Sequence, residues 1–173
     1  SVSHTTRSPR SNEVDGVDYH FVSQEKFETL IKDEKFYEYA KIFENYYGTL
    51  KNNVDEAIKT NDIIFDIDWQ GTKQLSQFDN LNLVKIYIIP PNKNELKKRL
   101  IKRNLDSEIE VEKRFNAFDE DVKHWKDYDY VLINENLEKC YSKIYNLIQA
   151  EINNGSKDYD SDYIRSHIDK LTS

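Results

Sequence analysis

Arg7 and Arg10 bracket Pro9 in a polar stretch that also carries Ser3, Thr5 and Thr6. Two guanidiniums among hydroxyls suit a phosphate, because Arg donates bidentate hydrogen bonds to anionic oxygens. Read alone, the same pair also fits a solvated surface. Tyr19 and Tyr47 could add hydroxyl donors to a phosphate, although in a chain with 12 tyrosines each also fits a structural role. Glu38 lies in an alternating run that predicts a strand over 36–43, with Phe36, Glu38, Ala40 and Ile42 on one face and Tyr37, Tyr39, Lys41 and Phe43 on the other. A carboxylate among apolar neighbours needs donors to replace its lost hydration. Guanine offers two adjacent donors, its ring N–H and its exocyclic amine, where adenine presents an acceptor, so such an acid can select guanine. The alternative is a face open to solvent.

Asp66 and Asp68 end the apolar run of Ile63, Ile64 and Phe65 and, two apart, are expected on one face. Ligands of α/β proteins sit at the carboxyl ends of parallel strands, where an acid can hold Mg²⁺ through water. The plainer reading is a pair of loop acids. Arg99 and Arg103 are four apart on a predicted helix over 92–103 and share a face, with Arg114 on the next helix and Lys97, Lys98, Lys102 and Lys113 around them. Such helices are either simply solvated or form a lid whose arginines meet the charge of a transferring phosphoryl group. The four histidines, His4, His20, His124 and His167, show no metal spacing, and Cys140, mid-helix, reads as core.

The elements that position these residues follow from periodicity and punctuation. Strands are expected over 19–22, 36–43, 63–65, 83–89 and 129–134, with Tyr46 to Thr49 continuing the β region. Asp15-Gly16 marks a tight turn. Helices are expected over 24–33 with Ser23 as cap, 51–59, a short one opening at Gln70-Gly71, 92–103, 108–126 and 136–152. Ser107 and Glu110 have capping-box spacing. Apolar strands alternating with helices in the second half indicate a parallel α/β sheet, and the first half reads as a mixed-sheet insertion. The stretch 153–173 reads as a polar, loosely held tail.

Composition bounds the rest. Of 173 residues 38% are hydrophobic and 33% charged, enough for a core beneath a soluble surface. A net charge of −7 argues against nucleic-acid binding by charge alone, and one cysteine rules out an internal disulfide and suits a cytoplasmic location. No apolar run approaches membrane-spanning length, so neither nucleic acid nor membrane is an expected partner.

In this order, SVSHTTRSPRSNEVDGVDYHFVS, FYEYAKIFENYYGT, IIFDIDWQG, LKKRLIKRNLDS with KRF beyond it, and DYVLIN resemble the guanylate kinase family over about residues 1–150. The resemblance implies a P-loop NTPase-like parallel sheet core from 1–6, 60–97 and 127–152, a mixed-β GMP-binding insertion over 7–59 and a helical lid over 98–126. It implies transfer of the ATP γ-phosphoryl group to GMP, with Mg²⁺, giving GDP and ADP. Ser3, Arg7, Arg10, Tyr19 and Tyr47 would hold the GMP phosphate, and Glu38, Thr49 and Asp68 would read the guanine. Asp66 would hold Mg²⁺ through water, Arg99, Arg103 and Arg114 would serve the lid and phosphates, and Asn134 would lie near the adenine, with Arg103 also on the ATP side.

Two departures stand out. Asn104 replaces the Gly usual after the second lid arginine. The pattern Gly-x-x-x-x-Gly-Lys-[Ser/Thr] does not occur, since none of Gly16, Gly48, Gly71 and Gly155 precedes a lysine. A strand, that loop and a helix are therefore expected upstream of Ser1, and negligible turnover is expected from these residues alone. The rival reading is a non-catalytic guanylate-kinase-like module that binds phosphorylated protein segments. The expected partners are GMP and ATP, with room for a homo-oligomer.

Overall fold

In the computed structural model, which describes residues 1–102, 108–155 and 159–172, the chain forms two units, Ser1–Asn82 and Leu83–Ser173. The fold is α/β. The first unit holds strands β1 (His4–Thr5) and β2 (His20–Phe21), helix α1 (Gln24–Lys32), strands β3 (Phe36–Ile42) and β4 (Asn45–Leu50), and helices α2 (Lys51–Ala57) and α3 (Trp69–Leu75). Its sheet has the order β2-β1-β4-β3, with β1 parallel to β2 and antiparallel to β4, and β3 antiparallel to β4. Ser23 caps α1 by accepting from Lys26 N at 3.2 Å. The helix buries Phe27, whose ring stacks on Phe36 at 4.5 Å and on Tyr46 at 5.3 Å.

Two expectations change in this unit. The ladder slips between Phe36 and Glu38, so Phe36, Tyr37 and Glu38 are all buried and strict alternation starts only beyond them. Tyr37, expected on the face opposite Glu38, points its hydroxyl at Asp55 Oδ1, 2.5 Å away. The run 63–65 forms no strand, and Ile64 is 75% exposed. A strand exists through its ladder partners, and here Ser1 N donates to Ile64 O at 2.8 Å without a ladder forming among the described residues.

The second unit holds β5 (Ile86–Ile89), α4 (Lys93–Lys102), α5 (Glu108–Asp121), a 3-10 helix over Val122–Asp127, β6 (Tyr130–Ile133), α6 (Leu137–Asn153) and α7 (Ser161–Thr172). β5 and β6 pair in parallel, Ile86 with Tyr130 through Ile89 with Ile133. A helical crossover between parallel strands is the α/β arrangement anticipated for this half. Asn92 caps α4 through Glu95 N at 2.8 Å, and Asn136 caps α6 through Lys139 N at 3.0 Å. Ser107 of the expected capping box lies outside the described residues. Cys140 is buried. Among the described residues no helix is long and apolar enough to cross a membrane.

In the stretch 153–173, the described residues 159–172 are not a loose polar tail. Asp160 Oδ1 accepts from Asp162 N and Tyr163 N at 3.1 and 2.9 Å and starts α7. Ile164, Ile168 and Leu171 are then buried in one cluster with Ile89, Val122 and Val131. The Tyr159 hydroxyl accepts from Val131 N at 3.1 Å, which satisfies a backbone donor of β6. The polar composition hid an i, i+4, i+7 apolar stripe, which is what folds the segment back. Ile168→Ala is expected to lower unfolding free energy by about 2–5 kcal/mol in urea titrations, where a loose tail would show about 0.5 kcal/mol or less.

Candidate functional site

Within the first unit, β1 anchors a polar loop. Thr5 is fully buried between β2 and β4, and its Oγ1 donates to Tyr46 O at 3.0 Å and accepts from Arg7 N at 3.2 Å. The chain leaves the sheet there with its backbone already satisfied. Arg7 then meets Glu13 in a two-point ion pair, Nη1 to Oε2 at 3.0 Å and the other Nη to Oε1 at 2.8 Å. Glu13 Oε2 also accepts from Arg10 N at 2.7 Å. The bond to Arg7 is the main reason the Glu13 carboxyl titrates below its ordinary value and the Arg7 guanidinium above its own. The Arg7 guanidinium lies 5.4 Å from the Tyr19 ring centroid, and the Tyr19 and Tyr47 rings meet edge to face at 6.0 Å. Burial, then the neighbouring Tyr47 and the Asp66 charge, push the Tyr19 hydroxyl upward. The loop thus brings Arg7, Arg10, Tyr19 and Tyr47 together.

A second group forms where β3, β4 and α3 meet. Glu38 is only 3% exposed and pairs in register with the fully buried Thr49. Its Oε1 is buried without a hydrogen-bond partner among the described residues. Burial pushes its carboxyl up to about 7, Thr49 opposes the rise by hydrogen bonding, and the nearby Asp68 charge adds to it. Thr49 Oγ1 lies 3.2 Å from Ser3 Oγ. Ser3, expected beside the arginines, is therefore joined to Thr49 instead. Asp68 does not end a strand alongside Asp66. It caps α3, with Oδ1 accepting from Gly71 N at 3.0 Å and Oδ2 from Gln70 Nε2 at 3.0 Å, while Asp66 is exposed. The cause is the missing strand at 63–65, which leaves no pleat to align the two acids.

In the second unit, Arg99 Nε donates to Glu95 Oε1 at 2.8 Å and Nη1 donates to Asn134 O at 2.9 Å. Arg99 and Asn134 are thus adjacent, through the backbone carbonyl that follows β6. Lys97 pairs with Glu112 at 2.6 Å and Lys93 with Asp119 at 2.9 Å, tying α4 to α5. Arg114 sits half-buried on α5. Arg103 and Asn104 lie outside the described residues.

Sequence reasoning passed over Glu13 and Gly71. Glu13 could have been found by asking which acid near Arg7 and Arg10 balances two guanidiniums, since it follows Arg10 by three residues. Gly71 has no such signal, because its neighbour Glu38 comes from another element.

The titration of Glu38 has a sign that can be checked. Its folded-state carboxyl, near 7, holds a proton that the unfolded one releases near 4.5. The group's contribution to stability is therefore fully present below about 4.5 and is lost as pH rises through about 7. Relative to Glu38→Gln, the unliganded protein should lose up to about 3 kcal/mol between those limits, read from urea unfolding at each end.

Comparison with known proteins places these groups in a family. The family model described as guanylate kinase matches residues 1–151. A guanylate kinase of Paramagnetospirillum magneticum is 43% identical over 152 residues, 87% of this chain and 71% of that protein. That of Buchnera aphidicola subsp. Baizongia pistaciae is 45% identical over 152 residues, 87% of this chain and 72% of that protein. The crystal structure of guanylate kinase from Anaplasma phagocytophilum matches with a TM-score of 0.75 at 32% identity, over 87% of this chain and 74% of that one. With the match spanning both units and the polar loop, the buried acid and the capping aspartate all inside it, this chain belongs to the guanylate kinase family.

Proposed function

We propose that this protein is a nucleoside monophosphate kinase that moves the γ-phosphoryl group of ATP to GMP, giving ADP and GDP. The observation that carries the reading is the buried, unpartnered Oε1 of Glu38 beside Thr49, Ser3 and Asp68. A carboxylate held this way is short of donors, and guanine supplies two adjacent ones. Thr49 and Ser3 would add hydroxyls at the base, and Asp68, fixed by its cap to α3, a further acceptor. Arg7 and Arg10, with Tyr19 and Tyr47, would take the GMP phosphate. The Arg7 guanidinium is already ordered by Glu13, which also accepts from the Arg10 backbone N–H, so less freedom is lost on binding.

Phosphoryl transfer asks for positioning and charge neutralisation more than for proton chemistry. Arg99, Arg103 and Arg114, in a helical lid over 98–126, would supply positive charge, and Asn134 and Arg103 would serve the ATP side of a P-loop NTPase-like core. Asp66 fits Mg²⁺ in one way: it is an exposed single carboxylate, which suits an ion that keeps its own waters. Among the described residues no group of three or more acidic, His or Cys side chains could hold an ion directly. Bound there, Mg²⁺ would offset charge on the phosphates.

GMP should bind by calorimetric titration, AMP far more weakly, and Glu38→Gln should weaken GMP by about 1–3 kcal/mol. Affinity for GMP should rise as pH climbs through about 7, since only the ionised Glu38 accepts both donors. Equal affinity for AMP, or an unchanged GMP affinity in the variant, would remove the guanine assignment. Binding of phosphoserine peptides without GMP would instead mark a phosphopeptide module.

A further inference from the structure

Gly71 stands inside α3, where glycine is the poorest choice of any residue but proline, and its backbone is not in the left-handed region that would call for it. The reason lies across the interface with β3. A Cβ at Gly71 would lie 2.6 Å from Glu38 Oε2 and 3.3 Å from Glu38 Cδ, well inside van der Waals contact. It would also come to 3.3 Å from Ile67 Cβ, so the space has no slack on the other side.

Neither backbone has an easy retreat. Gln74, on the same helix, binds the strand backbone next to Glu38, with Oε1 accepting from Tyr39 N at 3.1 Å and Nε2 donating to Tyr39 O at 2.7 Å. The helix start is held by Asp68 Oδ1 on Gly71 N at 3.0 Å. Glu38 itself emerges where the ladder slips, opposite Thr49. Helix and strand are thus fixed on both sides of the contact, and the movable part is the carboxylate.

We propose that Gly71 is a specificity-determining positioning residue: its missing side chain lets the Glu38 carboxylate lie against the backbone of α3 with the buried Oε1 left unpaired for a base offering two adjacent N–H donors. The proposal rests on the reading of Glu38 as the guanine acceptor. Gly71→Ala turns the carboxylate away from that position, and a guanine that needs both oxygens aligned loses more than a hypoxanthine that offers only a ring N–H.

The test titrates GMP and IMP into the full chain and into Gly71→Ala, Glu38→Gln and the double variant. Gly71→Ala should weaken GMP about tenfold or more and IMP less, so the GMP:IMP preference falls. The double variant should bind GMP no worse than Glu38→Gln, because both changes act through one carboxylate. Unchanged GMP affinity in Gly71→Ala, or GMP and IMP weakened in equal proportion, would overturn the proposal while leaving the Glu38 reading intact. Unchanged affinity in Glu38→Gln, or no GMP binding by the unaltered chain, would remove that reading and this proposal together. If Gly71→Ala does not fold, adding Glu38→Ala decides: recovery of folding assigns the fault to the methyl–carboxylate contact, and persistent unfolding overturns it.

Discussion

A carboxylate buried without a partner for one of its oxygens organises the first unit. Burying Glu38 costs hydration that Thr49 only partly replaces, and its raised titration point measures that shortfall. Such a group persists in a fold only if the surroundings hold it there. The slip in the β3–β4 ladder turns the side chain inward, Gly71 makes room for it, and Gln74 locks α3 onto the strand beside it. Asp68 is fixed by the same helix start, so its charge adds to the strain on Glu38 rather than relaxing it. What the protein lacks at this point is a set of donors for the buried Oε1.

The arginine loop solves the opposite problem. Arg7 and Arg10 carry charge that needs an acceptor, and Glu13 provides one within the loop. The side chains of Arg7 and Glu13 are 16% and 12% exposed, so solvent screens the pair only in part. Its effect is geometric. A bidentate guanidinium over Tyr19 has few remaining rotamers, so the pair orders the loop. The two groups are continuous through β1, because Ser3 meets Thr49 and Arg7 belongs to the loop, with the buried Thr5 between them.

The second unit shows how a short parallel pair is made stable. β5 and β6 have only four residues each, too few to support themselves, and α7 supplies the apolar cover. Tyr159 then uses its hydroxyl on Val131 N and its ring against Tyr130, 5.2 Å away, so one residue satisfies a polar group and fills space. Arg99 donates to Glu95 and to the carbonyl of Asn134, which holds α4 to the end of β6.

Much was readable from the chain as a string of residues. The ordered motifs from SVSHTT to DYVLIN carried the family, and local rules placed α1 with its cap at Ser23 and the runs of α4 and α6, because helices and caps are made by residues close in sequence. The stripe of Ile164, Ile168 and Leu171 was equally local and was hidden only by its polar neighbours. Contacts between distant residues were not readable. No spacing rule places Gly71 against Glu38, Ser3 on Thr49 or Arg99 on Asn134, since each depends on which elements pack together. The fate of 63–65 has the same cause: apolar residues give a strand its preference, but a ladder exists only when another backbone lies alongside.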